Sequence, residues 1–271
     1  MSQVREQLDR AFAMEGRVAV ITGGASGIGE ATAQVLAAAG AAIVVGDIDE
    51  AGAERTVKSI EADGGRAVAQ RVDVRSKAEV EGLVQRAVDE YGQVDFVANI
   101  AGIAAEGPAE DITEEELDRL LAINLKGTLF GVQAAIAAMK PRGTGSIVNV
   151  ASASIDVAAP GYSLYAMTKA AITQLTMNVA WEVGRHGIRI NTIAPGATVT
   201  PFTARHAYDD EGNVDPARMD QFVERMRNIS PLRQVGEAVD QAYLLLYLAS
   251  DASRFCTGQV WRANGGQAIV R

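Results

Sequence analysis

A tyrosine and a lysine stand four residues apart in the segment Tyr165-Ala166-Met167-Thr168-Lys169. The surrounding stretch has helical periodicity, and residues four apart in a helix project from the same face. A phenol with an ordinary pKa of about 10 is a poor base near neutral pH, and a neighbouring ammonium group lowers that pKa by stabilising the phenolate. The pair could therefore form an acid–base centre, although a Tyr and a Lys on a solvated helix face would show the same spacing.

Two serines follow a predicted strand that ends at Val150. Ser152 and Ser154 would lie at the carboxyl edge of the sheet, where open α/β sheets bind their ligands. A hydroxyl at this edge can hold the oxygen of a reacting alcohol or carbonyl group. The two serines compete for that role, and the other one is then an ordinary turn residue.

A glycine-rich segment, TGGASGIG over residues 22–29, links the first predicted strand directly to a helix. Glycines at such a turn let the backbone approach a pyrophosphate, and the helix N-terminus offers it unsatisfied N–H groups. The segment differs from the G-x-G-x-x-G pattern, so on its own it could be a plain tight turn. Asp47 after the second predicted strand and Asp73 after the third favour a dinucleotide, because a carboxylate near this point binds the adenosine ribose.

The elements that must position these residues alternate regularly from Arg17 onwards. Short β-branched runs alternate with longer Ala-rich stretches of helical period, which is typical of parallel strands joined by crossover helices. Continuous apolar strands indicate burial on both faces. Strands are predicted over residues 17–21, 42–45, 67–70, 94–98, 146–150, 188–193 and 259–262. The sequence thus predicts an α/β fold of one domain, with a Rossmann-like, doubly wound parallel sheet of about seven strands and helices on both faces.

Capping and turn signals mark the helix ends. Residues 1–14 read as an N-terminal extension containing a surface helix, and a further helix is predicted over residues 237–250. Residues 197–230 break the alternation with the turn signals of Tyr208–Asn213, and such an excursion is typical of a substrate lid. The predicted starts are Asp49, the capping boxes Ser76 to Glu79 and Thr113 to Glu116, and the predicted stops are Gly40, Gly64 and Pro141.

The composition excludes several classes of protein. The chain has 271 residues, a net charge of −9 and one cysteine. The acidic balance gives no electrostatic basis for binding nucleic acid or an anionic membrane, and no apolar run is expected to span a membrane. Cys256 cannot form an internal disulfide, the His and Cys spacing suggests no metal site, and the charged N-terminus is unlike a signal peptide. We therefore expect a soluble, cytoplasmic protein that acts on small molecules.

Six motifs in the right order resemble the common branch of the short-chain dehydrogenase/reductase family, and the resemblance covers roughly residues 15–266. Two departures are Ile100 in place of a second Asn, which affects local packing, and residues 263–266 (ANGG) in place of a more usual Asp-Gly-Gly. The motifs are TGxxxGxG at residues 22–29, Asn99-Ile100-Ala101-Gly102, Asn124 within residues 123–127, Ser152, Tyr165-x-x-x-Lys169 and the segment of residues 195–200.

The resemblance implies roles for individual residues. The implied catalytic set is Asn124, Ser152, Tyr165 and Lys169, with Ser152 and Tyr165 on the substrate oxygen, Lys169 beside Tyr165 and Asn124 on a water. The implied cofactor is NAD, held by Gly23, Ser26, Gly27, Ile28, Gly29, Asp47, Ile48, Asp73, Val74, Asn99, Ala101, Gly102, Tyr165, Lys169, Pro195, Gly196, Thr198 and Thr200. The candidate substrate contacts are Ser152, Ser154, Tyr162 and Tyr165, and the other candidate wall residues are Ile103, Ala104, Ala197, Phe202, Phe222 and Met226.

The predicted function is therefore NAD(H)-dependent hydride transfer between nicotinamide and a secondary alcohol or ketone. NAD(H) is expected over NADP(H) because Asp47 would repel a 2′-phosphate and no cation is evident in residues 24–26 or at Ile48. Two alternatives stay open: a 3-oxoacyl reductase of the carrier-protein or CoA type, and a cofactor-sensing regulator without turnover. The resemblance also implies a homo-oligomer, a tetramer, formed through helices around residues 112–140 and 160–185 and a contact near the last strand.

Overall fold

The core of the fold is a seven-stranded parallel sheet, seen in a computed structural model that describes residues 2–207 and 213–270. Its strand order is β3-β2-β1-β4-β5-β6-β9, and β7 and β8 form a separate two-stranded pair. This topology confirms the predicted doubly wound parallel sheet. The strands are β1 (Val18–Thr22), β2 (Ala42–Asp47), β3 (Arg66–Arg71), β4 (Phe96–Asn99), β5 (Gly145–Val150), β6 (Ile188–Ile193), β7 (Thr198–Val199), β8 (Gly236–Glu237) and β9 (Val260–Trp261).

Helices cover both faces of the sheet. A π-helical segment, Leu121–Lys126, joins α5 to α6 without a break. None of the residues of α1 is buried, in agreement with the predicted surface helix at the N-terminus. The helices are α1 (Gln3–Phe12), α2 (Gly27–Ala38), α3 (Glu50–Ala62), α4 (Lys77–Tyr91), α5 (Glu114–Leu120), α6 (Gly127–Met139), α7 (Ser163–Val183), α8 (Pro216–Asn228) and α9 (Ala238–Ala249).

The predicted helix starts are confirmed with one difference. Asp49 accepts a hydrogen bond from the backbone N–H of Gly52 at 3.0 Å, and Thr113 forms the predicted reciprocal capping box with Glu116. Ser76 also caps its helix, but Glu79 does not complete the box. The Glu79 carboxylate accepts the backbone N–H of Asp73 at 2.9 Å instead, because the β3–α4 loop brings that N–H within reach.

Alternate residues of the strands supply two apolar layers. Val20 and Val97 belong to the layer that packs against α4, α6 and α7. Ile21 and Phe96 belong to the layer on the opposite face, which packs against α2, α3 and α9. Because successive strand residues point to opposite faces, both faces of the sheet are buried, as the continuous apolar strands predicted.

One apolar helical run is longer than the sequence suggested. Residues Glu114–Arg142 form a continuous run of 29 residues that is long and apolar enough, by length and composition, to cross a membrane. This corrects the expectation that no apolar run is long enough to span a membrane. Val132 and Met139 of this run are fully or almost fully buried against the sheet, so part of its apolar surface belongs to the core.

After β6 the chain leaves the sheet. The β7–β8 pair aligns Thr198 with Gly236 and so closes the excursion at its base. Within it, α8 begins after the N-cap residue Asp215, whose side chain accepts the backbone N–H groups of Ala217 and Arg218. The acidic turn predicted at Tyr208–Asn213 lies outside the described residues except for Asn213.

Candidate active site

The glycine loop between β1 and α2 is shaped to admit a phosphate group. Gly23 has φ +74°, and a Cβ there would lie 2.7 Å from the backbone nitrogen of Ala101. A Cβ on Gly29 would collide with the carbonyl oxygen of Gly23. Ser26, the N-cap residue of α2, makes no capping hydrogen bond, so the first N–H groups of the helix lack a side-chain partner. The loop therefore fits a pyrophosphate, which would complete the hydrogen bonds of these N–H groups.

Asp47 fastens this loop to the sheet. Its carboxylate accepts the backbone N–H of Ala25 and the backbone N–H of Asp49, each at 3.0 Å. Ile48, which is more than half exposed, follows it in the chain. Both residues line a cavity that also reaches the glycine loop. The predicted ribose-binding carboxylate is thus at the carboxyl end of β2, next to the loop that would hold the phosphates.

A cation near this end of the cavity was not foreseen. Arg75 lines the cavity, which corrects the expectation that no cation stands close to the adenosine side. Its guanidinium is already paired, because it donates to both carboxylate oxygens of Asp73 at 2.5–2.9 Å. The pairing lowers the pKa of Asp73 and raises that of Arg75.

Helix α7 carries Tyr165 and Lys169 into the protein interior. Tyr165 is 8% exposed and Lys169 is 4% exposed, so the pair does not belong to a solvated helix face. The Lys169 ammonium donates to the carbonyl oxygen of Val150, the last residue of β5, at 2.8 Å. It lies 5.6 Å from the centroid of the Tyr165 ring. Ser152, two residues past β5, hydrogen-bonds to the Tyr165 side chain.

Burial governs the protonation of both groups. It raises the pKa of Tyr165 to about 12, and the hydrogen bond with Ser152 only partly offsets this. Burial also lowers the pKa of Lys169 to about 8. The pKa of Tyr165 is therefore raised, whereas the sequence predicted that Lys169 would lower it. Burial disfavours the charged phenolate more strongly than the Lys169 ammonium favours it at this distance. The protein alone therefore holds Tyr165 as a phenol and leaves Lys169 mostly charged at neutral pH.

Asn124 lies behind the cavity wall, in the π-helical segment. Its side-chain oxygen accepts the backbone N–H of Ile103 at 2.8 Å, and its amide group donates to the Ile103 carbonyl at 2.9 Å and to Thr168 at 3.1 Å. A Cβ on Gly102 would lie 3.2 Å from the Asn124 oxygen and 3.3 Å from the Lys169 nitrogen. Asn124 is thus adjacent to the catalytic candidates and fixes the chain after β4, although it does not face the cavity itself.

One cavity of about 840 Å³ joins the two ends of the site. Every predicted cofactor residue lines it except Asn99, and all four predicted substrate residues line it. Asn99 instead donates to the side chain of Asn149 at 2.8 Å, because this residue ends β4 with its side chain inside the fold. Among the other candidate wall residues Ala104 and Phe222 are absent from the lining, whereas Ile103, Ala197, Phe202 and Met226 belong to it.

A polar contact that the sequence did not indicate closes over Tyr165. The Tyr162 hydroxyl donates to Glu106 at 2.5 Å, and Arg205 forms an ion pair with the same carboxylate. The ring of Phe202 then lies 6.1 Å from that of Tyr165, measured between centroids. The contact joins residues 99 positions apart, so no local pattern could have identified it. Tyr162 also lines the cavity, and its hydroxyl hydrogen is donated to Glu106.

Comparisons with known proteins assign the family. A family model described as "Enoyl-(Acyl carrier protein) reductase" matches residues 23–268. A (2S)-[(R)-hydroxy(phenyl)methyl]succinyl-CoA dehydrogenase subunit of Thauera aromatica is 36% identical over 256 residues, covering 94% of this chain and 98% of the relative. A 2,5-dichloro-2,5-cyclohexadiene-1,4-diol dehydrogenase of Sphingobium indicum is 36% identical over 259 residues, covering 95% and 99%.

A solved structure agrees with these relatives. A 3-ketoacyl-(acyl-carrier-protein) reductase from Brucella melitensis, complexed with NADH, superimposes with a TM-score of 0.84 at 30% identity, covering 95% of this chain and 100% of that one. The chain belongs to the short-chain dehydrogenase/reductase family. It is accordingly an oxidoreductase that acts on an alcohol or ketone with a nicotinamide cofactor.

The depressed pKa of Lys169 predicts a pH-dependent stability. Below about pH 8 the folded protein carries the full cost of a buried cation. Between pH 8 and the unfolded value of about 10.4 the folded state has lost this proton while the unfolded state keeps it, so stability rises with pH. The unfolding free energy of the wild type, relative to Lys169→Met, should therefore increase by up to about 3 kcal/mol from pH 7 to pH 10. Denaturant unfolding of the two cofactor-free proteins at a series of pH values measures this difference. If the unfolding free energies of wild type and Lys169→Met changed in parallel with pH, the lowered pKa of Lys169 would be contradicted.

Proposed function

We propose that this protein is an NAD(H)-dependent dehydrogenase/reductase that interconverts a secondary alcohol and a ketone. The observation that carries the proposal is the convergence of Ser152, Tyr165 and Lys169 on one wall of a cavity whose other end is the glycine loop. The bound nicotinamide would supply the hydride acceptor or donor. Gly23, Gly29 and Asp47 would hold the adenosine and phosphate half, and the segment from Pro195 would hold the nicotinamide half.

The protein's own contribution is to place and move a proton. In ketone reduction the phenol of Tyr165 donates its proton to the substrate oxygen while the Ser152 hydroxyl holds that oxygen by a second hydrogen bond. A raised pKa suits this step, because the phenol is fully protonated before the reaction. In alcohol oxidation the proton returns to Tyr165, and the nearby Lys169 cation stabilises the phenolate that must receive it.

Removing the phenolic hydroxyl tests this role. Tyr165→Phe should lower kcat by roughly 10²–10⁴-fold, because the general acid–base group is lost while the ring still fills its site. NADH affinity should stay within a few-fold of wild type, since the hydroxyl contributes little to holding the dinucleotide. Steady-state kinetics and NADH fluorescence titration measure the two effects. A variant that retained about a tenth of the wild-type kcat would show that another group moves the proton.

The preference for NAD(H) rests on charge at the ribose end. A 2′-phosphate would bring roughly −1.5 to −2 charges close to Asp47. Like unit charges at ~4 Å repel by about 4 kcal/mol at an effective dielectric constant near 20, and solvent and movement would relax about half of this. Arg75 does not offset the repulsion, because Asp73 already binds its guanidinium. The Brucella neighbour, complexed with NADH, is consistent with this preference.

The expected discrimination is at least about a hundredfold in kcat/KM in favour of NAD(H). Asp47→Ser combined with Ile48→Arg should shift the preference toward NADP(H), because it removes the carboxylate and adds a cation. Arg75→Gln is the control and should leave the preference unchanged. Initial rates with each cofactor measure the ratio, and equal use of both cofactors by the wild type would contradict the assignment.

Residues 197–230 are proposed to be the substrate lid. Thr198, Phe202, Arg205 and Met226 of this segment line the cavity next to Tyr165. We expect slower hydrogen exchange in peptides from α8 when NADH and a substrate are bound, because the lid then gains contacts with both. Equal exchange with and without saturating ligands would remove the lid assignment.

We also propose that the protein forms a homo-oligomer, specifically a tetramer. Exposed apolar residues of α7 support this proposal. Met167, Met177 and Trp181 are exposed on one face of that helix, and Trp181 is 91% exposed. Large apolar side chains exposed on one helix face often mark a contact with a partner. Light scattering should therefore show an assembly whose mass falls on Trp181→Lys, whereas a monomeric wild type would contradict the proposal.

The relatives do not decide the substrate. Their names include a CoA thioester, a chlorinated cyclic diol and a carrier-protein thioester. The thioester names keep a 3-oxoacyl reductase as the second candidate. A panel of ketones that includes free acids, neutral esters and CoA thioesters would separate these classes by kcat/KM.

A further inference from the structure

The charged residues that line the cavity are divided between its two ends. The carboxylates of the lining, within the described parts of the chain, are Asp47 and Asp73, and both follow strands at the adenosine end. The end near Tyr165 is formed by apolar and aromatic side chains, by Ser152, Ser154 and Lys169, and by arginines of the proposed lid. A substrate at this end therefore meets a positive charge in a protein whose net charge is −9.

Two of the four lining arginines are neutralised. Arg75 is bound by Asp73, and Arg205 is bound by Glu106. Arg205 also donates to the carbonyl oxygen of Phe202 at 2.7 Å, so its guanidinium is held away from the substrate. Arg119 and Arg225 remain, and neither makes an ion pair with any residue in ranges 2–207 and 213–270.

Arg225 is the one of these two that stands near the reacting groups. It lines the cavity from α8 together with Met226 and with Ile229, the C-cap residue of that helix. Its charge acts on the Tyr162 hydroxyl and opposes the rise in the Tyr162 pKa that burial causes. Tyr162 in turn contacts Tyr165, with 6.3 Å between the ring centroids.

An arginine in this position has a defined ligand chemistry. The guanidinium presents five N–H donors in a planar fork that matches the two oxygens of a carboxylate. The surrounding wall is apolar, with Phe202, Met226 and Ile229 close by. The complementary ligand has an apolar body, a carbonyl or hydroxyl group at Tyr165 and an anionic group at the mouth of the cavity.

We propose that Arg225 binds a carboxylate of the substrate, so that the protein acts on hydroxy acids and oxo acids. This rests on the proposed alcohol and ketone chemistry. Arg225 thereby selects the substrate without taking part in proton transfer. The carboxylate is the substrate's own, and it is a different group from the carbonyl or hydroxyl that reacts at Tyr165.

The test uses three derivatives of one ketone: 4-oxocyclohexanecarboxylate, its uncharged methyl ester of similar size, and its much larger CoA thioester. Arg225→Gln removes the proposed contact. Arg227→Gln, on the same helix but outside the cavity lining, is the matched control, and Arg119→Gln tests the other unpaired arginine. Cyclohexanecarboxylate, which has no reactive carbonyl, is added as an inhibitor of the enzyme–NADH complex to measure binding without turnover.

The wild type should prefer the free acid to the ester by at least about tenfold in kcat/KM, the ratio that corresponds to about 1.4 kcal/mol. Arg225→Gln should abolish this preference through KM, weaken inhibition by cyclohexanecarboxylate by a similar factor and leave the ester unchanged. Arg227→Gln should behave as wild type.

Several results would overturn the proposal. One is an equal loss of kcat/KM for the acid and the ester in Arg225→Gln. Another is loss of the preference for the acid in Arg119→Gln while Arg225→Gln keeps it. The third is an effect of Arg225→Gln on kcat/KM for the CoA thioester alone. If ketones are reduced with no sensitivity to charge, the Arg225 proposal alone fails. If no ketone or alcohol is turned over while NADH still binds, the proposed function fails with it.

Discussion

The structure depends on the burial of an ionisable pair, Tyr165 and Lys169, at the end of a parallel sheet. Water is excluded from both side chains, which raises the pKa of the phenol to about 12 and lowers that of the ammonium to about 8. Such burial is costly unless each polar group has a partner. The carbonyl oxygen of Val150 serves Lys169, and Ser152 serves Tyr165, so the last residue of β5 and the turn after it define the geometry of the site.

The sheet order explains why the glycine loop and the pair Tyr165 and Lys169 line the same cavity. β1 lies between β2 and β4, so the chain runs outward from β1 in opposite directions and leaves a crevice beyond the carboxyl ends of these strands. The glycine loop opens into this crevice from β1, and the segment of Ala101 and Gly102 enters it from β4. A Cβ on Gly23 would meet the Ala101 backbone, which shows how closely the two loops approach. A dinucleotide bound in this crevice would therefore contact both loops.

The sequence predicted those features that depend on local patterns. Strand periodicity located all seven strands of the sheet, and the spacing of Tyr165 and Lys169 placed them on one helix face. It could not show that this face is buried, and the predicted direction of the Tyr165 pKa was wrong for that reason. Contacts between distant loops were also missed. Asn99 turns toward Asn149, and Glu106 joins Arg205, because these contacts depend on tertiary neighbours that no motif encodes.

The central claim is that the protein by itself holds Tyr165 as a buried phenol, because burial raises its pKa. Carbon NMR of the protein labelled at the tyrosine ring carbon that bears the hydroxyl measures this directly. The chain has six tyrosines, and the spectrum of a protein lacking Tyr165 assigns its signal. The account predicts that Tyr165 titrates near pH 12 in the free protein. Titration at or below the ordinary value of about 10 in the free protein would contradict it.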